Sequence, residues 1–231
     1  MTEKIRVLLI DDHPLFRKGV GQIISDDPSF EIVGEAASGQ EGIDLALEVK
    51  PDLVLLDLNM KGMDGLETLR RFKETDLDAH YVVLTVSDAE ENLLEALRIG
   101  ADGYLLKDME PEDLRNHLLK AAVGVTVLQD SMTEILKKAF IDPQHKVSAD
   151  EVNLTVRENE ILECLAEGMN NKTIARKLDI RDTTVKVHIK NILRKLNLTS
   201  RLEAVVWKHQ QDGRELLNKL MPTILNQDCR Q

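Results

Sequence analysis

Five times within the first 125 residues, a short apolar run gives way to a longer stretch of helical periodicity. The runs are 5–10 (IRVLLI), 31–35 (EIVGE), 53–56 (LVLL), 80–84 (HYVVL) and 103–106 (GYLL), and the helical stretches fall near 14–25, 39–49, 65–75, 88–99 and 111–123. Continuous apolar runs of this length suit strands buried on both faces of a parallel sheet. Pro14 and Pro111 stand where a first helical turn tolerates proline. The alternation implies a doubly wound α/β domain with a five-stranded parallel sheet over residues 1–125. Any site in such a sheet lies at the carboxyl ends of its strands.

The second half follows another grammar. Residues 126–153 read as a linker with a helix in it, polar near 141–153 (IDPQHKVSADEVN). From 154 to 211 strand signals vanish and helices take over. Thr155 and Glu158 form a T-x-x-E capping box opening a helix to about Glu167, with Gly168 as its stop. A short helix at 171–178, a tight turn at Asp179–Asp182, a longer helix at 183–196 and a last one from near Ser200 complete an all-α module. The tail 212–231 contains LLNKLMPTIL, which reads as a short helix of unassigned role.

Charge divides along the same boundary. The net −11 would by itself argue against a nucleic-acid partner, but residues 1–130 hold 27 acids against 13 bases, while 170–210 hold 3 acids against 10 bases. An acidic module is joined to a basic one that suits a polyanion. No apolar run approaches the roughly 20 residues that span a bilayer. The N-terminus does not read as a signal peptide, so a soluble cytoplasmic protein without a membrane partner is expected. Cys164 and Cys229 lack the spacing of a disulfide framework or a zinc site.

Asp11 and Asp12 end the first predicted strand, Asp57 ends the third and Lys107 follows the fifth. On one sheet edge, three carboxylates and one ammonium converge. Clustered carboxylates repel one another unless a cation or proton intervenes, and an all-oxygen set with room for water suits Mg²⁺. A carboxylate held by the metal beside a lysine can attack a phosphoryl group.

The segments LLIDDHP (8–14), LLDLNMKGMDG (55–65), VVLTVSD (82–88) and GADGYLLKD (100–108) resemble the receiver domain of two-component response regulators, which is flavodoxin-like. The resemblance covers residues 4–124. It implies Asp57 as phosphoacceptor, Asp12 as a direct Mg²⁺ ligand, Asp11 as a ligand through water and the Asn59 backbone carbonyl as a further one. It also implies that Thr85 and Lys107 contact the acyl phosphate and that Tyr104 is the aromatic whose rotation reports it. Most of the family has proline where this chain has Lys61, which bears on the stiffness of the loop after Asp57. A phosphatase of the haloacid dehalogenase type would share the sheet and the metal. It would want a second Asp two residues after the nucleophile, where this chain has Asn59, and it would leave the basic half unexplained.

On a wheel of 100° per residue, Val185, Ile189, Ile192, Leu193 and Leu196 form one stripe of the 183–196 helix. Lys186, Val187, Lys190 and Arg194 project opposite. A short helix and tight turn precede this cationic face, which is helix-turn-helix grammar with the second helix in the major groove. Residues 154–205 resemble the LuxR/FixJ-type DNA-binding domain. That resemblance places Lys186, Val187 and Lys190 against base edges and implies dimerisation through the last helix. Arg176, Arg181, Thr183, Thr184, Lys195 and Arg201 are phosphate candidates from charge and helix position as much as from the family. Met169, Ile174, Leu178 and Trp207 are expected in the core.

As a whole the chain resembles NarL/FixJ-family response regulators, within them the nitrate- and nitrite-responsive group. The resemblance implies a non-enzymatic transcription regulator. A sensor histidine kinase phosphorylates Asp57, and the helix-turn-helix is released from the receiver or joined into a homodimer on double-stranded DNA.

Overall fold

The computed structural model describes residues 4–75, 77–128, 154–169, 171–198 and 200–211. The expected linker helix (apart from residues 126–128), the 212–231 tail and Cys229 lie outside the described residues. The chain divides into two compact units, one of residues up to 122 with 127–129, the other essentially the C-terminal part.

In the first unit, β1 (Ile5–Ile10), β2 (Phe30–Ala36), β3 (Leu53–Leu56), β4 (His80–Thr85) and β5 (Gly103–Leu106) alternate with α1 (Pro14–Ser25), α2 (Gly39–Val49), α3 (Gly65–Glu74), α4 (Glu90–Ile99) and α5 (Pro111–Ala122). Proline opens α1, Ser38 accepts the Glu41 amide at the start of α2, and Asp64 accepts the Glu67 amide at the start of α3. These side chains satisfy amides that a helix start leaves unpaired. Lys50 (φ 48°) and Gly100 (φ 113°) end α2 and α4 in the left-handed conformation.

All strands are parallel, in the order β2-β1-β3-β4-β5-β6. The sixth strand, β6 (Val127–Leu128), corrects the five-stranded expectation and carries the sheet past residue 125. Val127 pairs with Gly103 and Leu128 with Tyr104, and both apolar residues are buried. A side chain at Gly103 would collide with Val127, its Cβ falling 2.3 Å from Val127 Cγ2. Any larger residue there would have to displace Val127. Two residues are too short for any periodicity to announce a strand.

Alternate strand residues point to opposite faces. Val7, Leu9, Leu53, Leu55, Val82, Leu84 and Leu105 pack on one side against Val20 and Ile24 of α1 and Leu114 and Leu118 of α5. Leu8, Ile10, Val54, Leu56 and Val83 point the other way and are equally buried. Each such side chain contributes about 1.5–3 kcal/mol on leaving water.

The second unit contains α6 (Val156–Ala166), α7 (Asn171–Leu178), α8 (Asp182–Leu196) and α9 (Arg201–Gln211). The capping box forms as expected, with reciprocal bonds between Thr155 and Glu158. Asp179 (φ 52°) reverses the chain between α7 and α8. Ile161, Leu165, Ile174, Val185, Ile192, Leu196 and Trp207 make one core, with Met169, Leu178, Ile189 and Leu193 packed against it.

Candidate functional site

Strand register assembles the acidic pocket. Ile10 pairs with Leu56 across β1 and β3, and the Asp57 amide donates to the Ile10 carbonyl at 2.9 Å, so the residues following these strands are neighbours. Thr85 pairs with Leu106 across β4 and β5, and the Lys107 amide donates to the Thr85 carbonyl at 2.8 Å. This is the region where strand order reverses, the usual ligand crevice of open α/β sheets. Gly65 at the start of α3 closes it from below. A Cβ there would fall 2.2 Å from the Asp57 carbonyl oxygen, so only glycine lets α3 approach.

Lys107 Nζ lies 2.7 Å from Asp11 Oδ2 and 2.8 Å from Asp57 Oδ2, with all three side chains at least nine-tenths buried. The ammonium also rests over the Phe16 ring, 4.4 Å from its centroid. Asp57 Oδ1 accepts the Asn59 amide at 3.3 Å, and Asp12 Oδ2 accepts the Lys61 amide at 3.2 Å. A proline at 61 would lack that N–H. Asp57 Oδ2 and Asp12 Oδ1 accept no hydrogen bond of ordinary geometry. Charge contacts alone reach them, from Lys107 and from His13 Nδ1. Buried carboxylate oxygens with unused lone pairs fit a divalent cation. Asp11, Asp12, His13 and Asp57 each bring a ligand atom within 4.8 Å of the others.

Thr85 and Tyr104 are fully buried. Thr85 Oγ1 accepts from the Ser87 amide at 3.2 Å and from Asn59 Nδ2 at 3.4 Å. Tyr104 points inward and donates to the Ser87 carbonyl at 2.9 Å. Burial pushes its phenol up to about 12, against the lowering effect of that hydrogen bond and with a further rise from the Asp88 charge. Ser87, which ties both residues together, was not legible as a site residue. Nor were His13, Phe16 and Gly65. The one signal that pointed to His13 was its position between an acidic pair and a proline.

A second ionisable group lies around the amino end of β4. Asp102 accepts the Tyr81 amide at 2.9 Å and pairs with His80 at 3.3 Å. Burial alone would raise its carboxyl. The His80 charge and hydrogen bond, Lys73 and the Tyr81 amide outweigh burial and hold it at about 2.

In the C-terminal unit, the buried stripe of α8 turns its other side outward. Val187 is 59% exposed, Lys190 and Arg194 are exposed and Lys186 is partly so. Arg176, Arg181 and Thr183 are exposed, and Thr184 is partly buried. Lys195 is exposed and Arg201 partly so, and both of these phosphate candidates also have partners within the domain. Lys195 Nζ bonds Glu158 Oε2 at 2.6 Å. Burial would raise Glu158, but bonds from Lys195 and Thr155 hold it below the usual carboxylate range. Arg201 donates to Asn171 Oδ1 at 2.8 Å and to the Met169 carbonyl. These contacts join the end of α8 and the start of α9 to the starts of α6 and α7.

The family model described as response regulator receiver domain matches residues 7–119, and that of bacterial regulatory proteins of the luxR family matches 152–208. The chain is a LuxR-type response regulator. Among relatives of this regulator, the nitrate/nitrite response regulator protein NarL of Escherichia coli (strain K12) is 51% identical over 90% of the chain and 97% of its own length. NarP of the same organism, also a nitrate/nitrite response regulator, is 44% identical over 90% and 96%. The crystal structure of response regulator ChrA of a heme-sensing two-component system is similar at a TM-score of 0.51 and 33% identity, over 91% of this chain and 99% of its own. The regulator is thus a DNA-binding transcription regulator of a two-component system. None of its described helices is long and apolar enough to cross a membrane.

Proposed function

We propose that the regulator is switched by phosphoryl transfer from a sensor histidine kinase to Asp57. The observation that carries this reading is the Asp57 carboxylate itself. It is almost sealed from water, lies 2.8 Å from Lys107 Nζ, and keeps one oxygen without an ordinary hydrogen bond. Asp11, Asp12 and Asp57, with the Asn59 carbonyl, would hold Mg²⁺, which neutralises charge on phosphoryl oxygens when bound. An Asp57 oxygen forms the new bond to phosphorus while the bond to the kinase imidazole breaks, and the imidazole keeps its electron pair. Lys107 offsets the charge developing on the phosphoryl group, and the Thr85 hydroxyl turns to one of its oxygens. The added charge of roughly two units then draws on the Thr85–Ser87–Tyr104 chain. That bias between two conformations is the switch.

On the output side, Lys186, Val187 and Lys190 read base edges, while Arg176, Arg181, Thr183, Thr184, Lys195 and Arg201 hold phosphates. The active form is a homodimer working in the cytoplasm, and it acts by its own phosphorylation state, not on a separate substrate. Its likeness to nitrate/nitrite response regulators supports nitrate- and nitrite-responsive genes as targets. Incubation with acetyl phosphate and Mg²⁺ tests the core of this reading. Acid-stable, base-labile phosphate is expected in the full chain and is expected to vanish in Asp57→Ala. Full labelling of that variant elsewhere would remove Asp57 from its role.

A further inference from the structure

The family's cation site is an all-oxygen one, and this pocket contains something more. His13 directly follows Asp12, and its own amide donates to Asp11 Oδ1 at 2.8 Å. Pro14 follows it, and a residue before proline is confined to extended backbone. His13 has that conformation (φ −92°, ψ 102°) as the residue capping α1. Its side chain is therefore carried back over the carboxylates by a stiff stretch of chain.

His13 Nδ1 lies 2.9 Å from Asp12 Oδ1, 3.4 Å from Asp11 Oδ1 and 3.9 Å from Asp57 Oδ2. Two donors bound to one ion at about 2.1 Å are separated by about 3.0 Å at a right angle and about 3.4 Å at the tetrahedral angle. The imidazole nitrogen is thus spaced from the first two carboxylates as a co-ligand would be. The ring is 65% exposed and no packing locks it away. Asp57 Oδ2 and Asp12 Oδ1, the oxygens nearest to it on their carboxylates, are the two without an ordinary hydrogen bond.

We infer that His13 Nδ1 is a nitrogen ligand to the cation of this pocket, making it a mixed nitrogen–oxygen site that favours first-row transition ions over Mg²⁺. The chemistry follows from ligand type. Imidazole binds Zn²⁺, Co²⁺ and Ni²⁺ well and Mg²⁺ poorly, whereas carboxylates serve all of them. His13 raises affinity for the first group and leaves Mg²⁺ nearly unchanged. Cation identity then becomes a variable of the switch, because the ion that fills the pocket sets how readily Asp57 reacts. This inference rests on the proposal that the acidic pocket is the cation site.

The test uses the full chain with Mn²⁺ as probe, since it occupies Mg²⁺ sites and is paramagnetic. Pulsed electron paramagnetic resonance should show imidazole nitrogen coupled to bound Mn²⁺ in the wild type. The coupling should disappear in His13→Ala and His13→Gln, although five other histidines remain in the chain. The Zn²⁺ dissociation constant, measured directly, should rise at least about tenfold in both variants, the lower end of what even indirect metal-site partners cost. The Mg²⁺ dissociation constant should change less than about twofold. Bound Mn²⁺ without nitrogen coupling in the wild type, or equal losses for Zn²⁺ and Mg²⁺, would overturn the inference and leave the acidic pocket standing. A wild type that binds neither Mn²⁺ nor Mg²⁺ would overturn the pocket as a cation site, and this inference with it.

Discussion

Lys107 and Asp57 form an ion pair 2.8 Å long whose two side chains are 7% and 1% exposed, and Asp11 shares the same ammonium at 2.7 Å. One cation therefore compensates two buried carboxylates. In Lys107→Ala they face each other uncompensated, and breaking a buried pair from one side costs about 3–5 kcal/mol. Urea denaturation should show that loss without divalent cation. Mg²⁺ should restore about 2.7 kcal/mol at a hundredfold excess over its dissociation constant. The variant should still accept phosphate on Asp57 yet fail to couple it to DNA binding. Stability unchanged by the substitution would mean the carboxylates do not depend on Lys107.

The receiver's response to pH follows from its two buried phenols and from Asp102. Tyr104 and Tyr81 are the chain's two tyrosines, and burial raises both phenols, Tyr104 to about 12. A raised phenol stabilises the fold below the unfolded value near 10 and loses that contribution as pH rises toward the folded value. Absorbance at 295 nm should show no phenolate below about pH 11 while the domain is folded. Asp102 acts at the other end. Its lowered carboxyl stabilises above the unfolded value near 3.9 and loses this as pH falls toward 2. Asp102→Asn should remove that part of the acid sensitivity, seen as a flatter stability curve below about pH 4.

In the DNA-binding unit, cations that read bases and cations that brace the domain should separate experimentally. Lys190→Ala should lose about 1–3 kcal/mol of discrimination between operator and random duplex if the side chain makes a good base contact. Arg201→Ala should lower the melting temperature, since hydrogen bonds from a charged group contribute about 1.5–3 kcal/mol each. Equal losses on both duplexes for Lys190→Ala would contradict base reading.

A fragment of residues 150–231 should bind operator DNA without phosphorylation, and more tightly than the unphosphorylated full chain. The acidic N-terminal part repels DNA, so its removal restores attraction. Binding is expected as a dimer on half-sites about one helical turn apart. Gel-shift titrations need matched salt, because such repulsion is screened within about 8–10 Å. A fragment that binds no better at any salt would point to receiver dimerisation as the means of activation.

Much of this protein was legible before any coordinates. The strands at 5–10, 53–56 and 103–106 and the helices at 14–25, 39–49 and 171–178 coincide with those observed. They are long enough to repeat a period, and Pro14 opens one helix while Ser38 caps another. Asp11, Asp12, Asp57 and Lys107 could be gathered in advance because a parallel sheet brings the residues after its strands to one edge. The rest depended on contacts between residues far apart in the chain. Val127 and Leu128 become a strand by pairing with Gly103 and Tyr104, and Gly103 leaves room for Val127 beside β5. Lys195 and Arg201 find Glu158, Asn171 and the Met169 carbonyl as partners only because α6 and α7 fold beside them. Local periodicity records which face of an element is apolar, and that was readable. Which charge finds a partner is decided by distances across the fold, and these exist only once the chain has packed.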